Sequence, residues 1–273
     1  LAVIFVWPAD RSFCRPTEKE KKMSSFSDSL EGRTAIVTGA CGGIGRATCE
    51  RLAAEGVRIV LVDIEEESAQ AFAASLGTEV YVAAVDVGDP DAVSSAHRRI
   101  AKDFGDADIL VNCAGILSNN KLKATSAEEW RKVMAVNLDS ALYWSQAVVP
   151  AMQDKKFGRI INIASFAWKA GGLTAGTAYT ASKGGMISLT FSVALEFAAE
   201  GITVNGIAPC YVMTPMVTEQ LSAQQRSELL EKLPVKRFCT PEEVAHSVRY
   251  LASPLSGFIT GEIIDMNGGL QFD

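Results

Sequence analysis

From residue 33 onward, short β-branched runs alternate with helix-length amphipathic stretches, and few architectures accept that alternation. The runs are TAIVTG, RIVLVD, VYVAAVDV, DILVNCAG, GRIINIAS, ITVNGIAP and EIIDMNGG. Between them the spacing predicts helices near 44–56, 66–76, 90–103, 126–153, 178–200, 215–231 and 241–252. Strand followed by helix, repeated, implies a parallel sheet with helices on both faces. The expected fold class is therefore α/β, a single doubly wound domain with a seven-stranded parallel sheet. Such sheets bind ligands beyond the carboxyl ends of their strands, where the strand order reverses. No internal repeat, low-complexity tract or Pro/Gly linker interrupts the series, so residues 23–273 are expected to form one domain.

The chain of 273 residues, 48% hydrophobic and 21% charged, suits a soluble globular protein with one large core. Its net charge of -6 and scattered basic residues offer no surface for nucleic acid or anionic membrane, which leaves small molecules as the expected partners. The six cysteines, at 14, 41, 49, 113, 210 and 239, form no CxxC pair, and the chain has only two histidines, His97 and His246. That pattern implies a reduced, cytoplasmic protein without a metal site.

Residues 1–22 do not match the rest of the chain. LAVIFVWPAD opens with seven apolar residues, yet it lacks a basic n-region and a small-residue cleavage site and is too short to span a bilayer. The expectation is that translation starts at Met23 and that residues 1–22 are a leader outside the fold; a membrane-surface leader is the alternative.

The first strand-to-helix turn reads TGACGGIGRA. Glycine permits the sharp turn and lets main-chain N–H groups approach a pyrophosphate at the helix N-terminus. The next strand ends in Asp63, about twenty residues on, where a carboxylate accepts hydrogen bonds from both ribose hydroxyls of an adenosine. A glycine-rich turn alone carries little; in this context it points to a dinucleotide.

The stretch YTASKGGM places a phenol, Tyr179, and an ammonium, Lys183, four positions apart, hence on one helical face. A half-buried tyrosine beside a surface lysine is the plain alternative. A proton shuttle near neutral pH needs the phenol about three units below its usual value, and a cation about 4 Å away supplies a shift of that size. Lys183 is the candidate cation.

The conjunction of motifs resembles the short-chain dehydrogenase/reductase family. T-G-x-x-x-G-x-G spans Thr38 to Gly45, NCAG spans Asn112 to Gly115 with Cys113 where the family has asparagine, VMAVN ends in Asn137, NIAS ends in Ser165, and Tyr179 with Lys183 completes Y-x-x-x-K. VNGIAPCYVMT and SGFITGEIIDMNGG resemble later landmarks, so the likeness covers residues 32–273. It implies a Rossmann domain in which Asn137, Ser165, Tyr179 and Lys183 are catalytic. Tyr179 would be the general acid/base, Ser165 would hold the substrate oxygen, and Asn137 would kink its helix and position a water relay. It further implies cofactor contacts at Gly39, Gly43, Ile44, Gly45, Asp63, Asp86, Val87, Asn112, Ala114, Gly115, Pro209, Val212 and Thr214, besides Tyr179 and Lys183. Family members are commonly tetramers built through the helices near 126–153 and 178–200. The family usually has glycine where this chain has Cys210.

The expected activity is reversible hydride transfer between NAD(H) and a secondary alcohol or ketone. NAD is expected because Asp63 would repel a 2′-phosphate, and the positions where NADP-preferring relatives place a cation hold Gly42 and Ile64, with Glu65, Glu66 and Glu67 next in the chain. Phe166, Trp168, Leu173, Met213 and Met216 suggest an apolar pocket, and Lys169 or Arg237 could draw an acidic substrate. Secondary alcohol, sugar, polyol and 3-hydroxyacyl thioester remain open. The alternatives are an idle dinucleotide sensor of the same fold and an NADP-dependent 3-oxoacyl thioester reductase. A Ser165 hydrolase is disfavoured, since the chain has no G-x-S-x-G elbow.

Overall fold

Seven strands appear where the β-branched runs predict them: β1 Thr34–Thr38, β2 Arg58–Asp63, β3 Val80–Ala84, β4 Ile109–Asn112, β5 Gly158–Ile163, β6 Ile202–Pro209 and β7 Ile263–Met266. The computed structural model describes residues 27–220 and 222–272. The leader, residues 1–22, lies outside the described residues. All pairings are parallel, in the order β3-β2-β1-β4-β5-β6-β7.

Strand residues alternate between two apolar layers, as the period of two requires. On one face Ile36, Val60, Leu110, Ile160 and Val204 pack with Ile100 of α3 (Pro90–Asp103), Trp144 and Met152 of α5 (Ser140–Lys155) and Val193 of α7 (Thr177–Phe197). On the other, Val37, Leu61, Val111, Ile161 and Ile207 meet Leu52 of α1 (Gly43–Ala53), Phe72 of α2 (Glu66–Ala73) and Val248 of α10 (Pro241–Ala252). Local chemistry sets several helix starts. Asp89 accepts from the N–H groups of Asp91 and Ala92, with Pro90 in the first turn, and Thr240 and Glu243 close a reciprocal cap around Pro241.

The structure corrects two helix expectations. The helix near 126–153 is divided into α4 (Ala127–Met134), a π-helical turn (Ala135–Asp139) and α5, because the Asn137 side chain bonds the neighbouring loop and Ser140 donates to the carbonyl of Val136 at 2.7 Å. The stretch 215–231 is two helices, α8 (Pro215–Gln220) and α9 (Ala223–Lys232). Ser222 and Gln225 form a new reciprocal cap at the start of the second. A short helix, α6 (Ala167–Ala170), follows β5 and was not expected.

β1 lies between β2 and β4, so the connections leaving β1 and β4 run to opposite faces. The crevice they open at the carboxyl ends is where the predicted site residues gather.

Candidate active site

The glycine turn after β1 is built for close approach. Gly39 has φ 63°, and a Cβ there would come within 2.8 Å of the Ala114 Cα; at Gly45 it would meet the Gly39 oxygen at 2.1 Å, and at Gly43 the Thr214 side chain at 2.7 Å. The Thr38 hydroxyl accepts from the N–H groups of Cys113 (3.0 Å) and Ala114 (3.1 Å), tying the turn to the end of β4. No side chain caps α1 and no acidic residue stands in its first turn, which leaves the positive helix end to an anion. Asp63 is fixed beside it: one carboxylate oxygen accepts from Cys41 N–H at 2.8 Å, the other from Glu65 N–H at 3.2 Å. A cradle that admits no Cβ, an uncapped helix start and an oriented carboxylate fit a dinucleotide.

Across the crevice, Ser165 leaves the end of β5 and Tyr179 sits in the first turn of α7. Both line one cavity. Ser165 Oγ also accepts from Ala167 N–H at 3.2 Å. Lys183, one turn beyond Tyr179, is buried and donates to the Ile163 carbonyl at 2.7 Å; its nitrogen is 5.9 Å from the centre of the Tyr179 ring. Asn137 is fully buried. Its amide oxygen accepts from Ile116 N–H at 2.8 Å, and its nitrogen donates to the Ile116 carbonyl at 3.0 Å and to Ser182 Oγ at 3.1 Å. A Cβ on Gly115 would lie 3.5 Å from both Asn137 Oδ1 and Lys183 Nζ, so these three residues converge.

The electrostatics correct the sequence expectation for Tyr179. Burial pushes its phenol above the ordinary value, against the pull of the Ser165 hydrogen bond. Lys183, whose own pKa burial drives down to about 8 and one of whose three N–H groups goes to Ile163, does not reverse this. Protein groups alone thus keep Tyr179 protonated at neutral pH.

One cavity is lined by Ile44, Gly115, Ser165, Tyr179, Lys183, Pro209, Val212 and Thr214 together. The remaining predicted residues surround it or serve it from behind. Asp86 is exposed and accepts from Gly88 N–H at 2.9 Å, while Val87 is buried in the core. Asn112 turns inward and donates to Asn162 Oδ1 at 2.8 Å, so its side chain belongs to the sheet and not to the cavity. Cys210 lines the cavity, with its thiol pushed up to about 12 by burial.

Of the residues expected to line the substrate end, Phe166 and Leu173 do so. Trp168 packs beside Met186 and Ile187 instead, and Met213 stands outside at 41% exposure. The proposed attraction of an acidic substrate fails: Lys169 pairs with Asp265 at 2.5 Å and Arg237 with Glu243 at 2.6 Å. Thr174, Tyr211 and Val217 also line it, as does Leu117 from the loop after β4, which sequence reasoning missed. Thr38 was legible as the first letter of its motif, but its hydroxyl's role was not. Among the described residues no cluster of side chains could hold a metal ion, and no helix is long and apolar enough to cross a membrane.

Residues 39–271 match the family model described as Enoyl-(Acyl carrier protein) reductase. The chain is 41% identical over 242 residues to the 3-oxoacyl-[acyl-carrier-protein] reductase FabG of Vibrio cholerae, an alignment covering 88% of this chain and 98% of that protein. The enzyme of the same name from Escherichia coli K12 gives the same figures, and that from Haemophilus influenzae is 39% identical over 241 residues, 88% of this chain and 99% of its own length.

Proposed function

Because this chain belongs to the short-chain dehydrogenase/reductase family of oxidoreductases, we propose that it reduces a ketone to a secondary alcohol with NADH, reversibly. The observation that carries this reading is the meeting of Ser165, Tyr179 and Lys183 with Ile44 and Thr214, next to the glycine turn, in one cavity. Nicotinamide, when bound, supplies or accepts the hydride at its C4. Ser165 holds the substrate oxygen and stabilises charge developing on it. Tyr179, kept protonated by its surroundings, gives that oxygen its proton. Lys183 contributes positive charge and Asn137 fixes the loop at Ile116 behind it. An idle sensor would need none of Ser165, Tyr179 and Lys183 in this arrangement.

NAD is favoured by Asp63, whose carboxylate is held at the end of β2 by two main-chain N–H groups. Arg46, in the first turn of α1, has its guanidinium over the Phe72 ring at 4.1 Å. The second reading, an NADP-dependent 3-oxoacyl thioester reductase, draws on the names of the relatives. A screen of ketones, 3-oxoacyl thioesters and secondary alcohols with both cofactors, read by absorbance of the reduced nicotinamide, separates the two. Loss of signal with every compound and both cofactors would overturn the reaction.

We also infer a homotetramer, supported by Phe191 (47%) and Leu195 (86%) exposed on α7 and Leu142 (37%) on α5. A cytoplasmic setting suits the free thiols of Cys41, Cys49, Cys113, Cys210 and Cys239.

A further inference from the structure

The loop over 171–176, between α6 and α7, supplies one wall of the cavity: Gly172, Leu173, Thr174 and Ala175 all line it. It has no regular secondary structure. It turns through two successive left-handed glycines, Gly171 (φ 66°) and Gly172 (φ 68°), which leave the backbone with much freedom to lose. A wall of this kind keeps one shape only where outside groups bind its main chain.

Those groups come from one place, the loop that follows β4. The Lys121 ammonium donates to the carbonyls of Gly172 and Ala175, each at 2.6 Å, and both of these residues are buried. Its two acceptors flank Leu173 and Thr174, so one side chain pins both ends of the segment that faces the cavity. Gly176 N–H donates to the Ser118 carbonyl at 2.6 Å, and Thr177 N–H to the Asn120 carbonyl at 2.9 Å. The two loops meet so closely that a Cβ on Gly176 would lie 2.5 Å from the Asn120 carbonyl oxygen.

The segment that carries Lys121 is itself fixed from behind. Ser118 Oγ donates to one oxygen of Glu129 on α4, and Asn120 Nδ2 donates to the other at 2.8 Å. Thr125 Oγ1 lies 3.0 Å from the Asn120 carbonyl and 3.1 Å from that of Lys121, a donor shared between them. Lys121 does not line the cavity, and its bonds are charge-assisted, roughly twice as strong as neutral ones.

We propose that Lys121 is a positioning residue, which acts through Gly172 and Ala175 to hold the substrate wall and so sets substrate affinity. Ser165, at the end of β5, and Tyr179, in α7, keep their places without it. The proposal rests on the reaction proposed above and names a residue that the reaction itself does not require.

The test starts from Lys121→Met, which removes the donors and keeps an unbranched side chain. With NADH and a ketone that the screen finds active, KM for the ketone should rise at least about tenfold, with kcat lowered less than about threefold and KM for NADH unchanged. Lys121→Arg, which restores the charge and the donors, should bring KM back to within about threefold of the parent. Lys123→Met removes an exposed charge from the same loop and should leave KM as it is, which separates the tie from a general loss of positive charge. Hydrogen exchange read by mass spectrometry needs no turnover: residues 170–177 should exchange at least about tenfold faster in Lys121→Met, with α1 as in the parent. A fall in kcat that matches or exceeds the rise in KM, an equal effect of Lys123→Met, no rescue by arginine, or unchanged exchange would each overturn the proposal. If the parent reduces no ketone, the reaction falls and exchange alone decides. Faster exchange then keeps Lys121 as the residue that holds the wall, and unchanged exchange sinks it.

Discussion

The ammonium of Lys183 donates to the main-chain carbonyl of Ile163 at 2.7 Å, from a side chain that is only 4% exposed. This contact ties α7 to the end of β5, next to Ser165, but it only partly offsets the loss of water around the charge.

That burial makes stability depend on pH. The Lys183 pKa falls from 10.5 to about 8, so between those values the unfolded chain binds more protons than the native one. Stability gains from this residue as pH rises through that window. Below about 8 the full cost applies, roughly 3 kcal/mol from the size of the shift. Urea unfolding of the parent and Lys183→Met at pH 7 and pH 10 should show the variant relatively more stable at the lower pH. An identical pH dependence in the two proteins would rule out a depressed Lys183.

Asn137 makes three side-chain hydrogen bonds within the fold, two to Ile116 and one to Ser182, and Ser182 in turn donates to the Tyr179 carbonyl at 2.8 Å. Asn137→Ala strands these buried groups, and the expected loss of stability is about 1–3 kcal/mol. Turnover should fall as well, since the loop at Ile116 and α7, which carries the proposed acid/base Tyr179, share the anchor. Unfolding and initial rates on one preparation check both; unchanged stability would mean that water replaces the amide without cost.

Much of this architecture is written locally. β6 occupies residues 202–209, just the run ITVNGIAP, because eight residues buried on both faces admit little besides β-branched and small side chains. Asp89 and Pro90 announce the start of α3 by their own chemistry. What depends on distant partners is not legible. The family resemblance implies a kink at Asn137, but its π-helical form and its tie to Ile116 depend on a loop that nothing near residue 137 encodes. The pairing of the Asn112 amide nitrogen with Asn162 on β5 is likewise invisible near residue 112. Lys169 and Arg237 look like free cations in sequence and are ion-paired in the fold. The spacing of Tyr179 and Lys183 correctly predicts a shared helix face, but not the burial that moves both pKa values in the direction opposite to activation of the phenol.

The proposed choice of NAD rests on Asp63. A 2′-phosphate would bring about two negative charges against a carboxylate that two main-chain N–H groups hold in place. The expected outcome is a preference for NADH over NADPH of about a hundredfold or more in kcat/KM, narrowing in Asp63→Ala. Equal or better use of NADPH by the parent would overturn the NAD assignment. An unchanged gap in the variant would show that Asp63 is not its cause.

Assembly is tested by light scattering at micromolar concentration, where a tetramer mass is expected. Leu195→Lys on the exposed face of α7 should dissociate it without unfolding the subunit. A monomeric mass for the parent would refute the tetramer.

The central claim is that hydride passes between nicotinamide and a carbinol carbon while Tyr179 moves the proton. NADH carrying deuterium at C4, mixed with a ketone that the screen finds active, should yield an alcohol with deuterium on the carbinol carbon, detected by mass spectrometry. Tyr179→Phe should fold normally and form that product at least about a hundredfold more slowly. An alcohol without the label, or a Phe variant that keeps most of the parent's rate, would contradict the account.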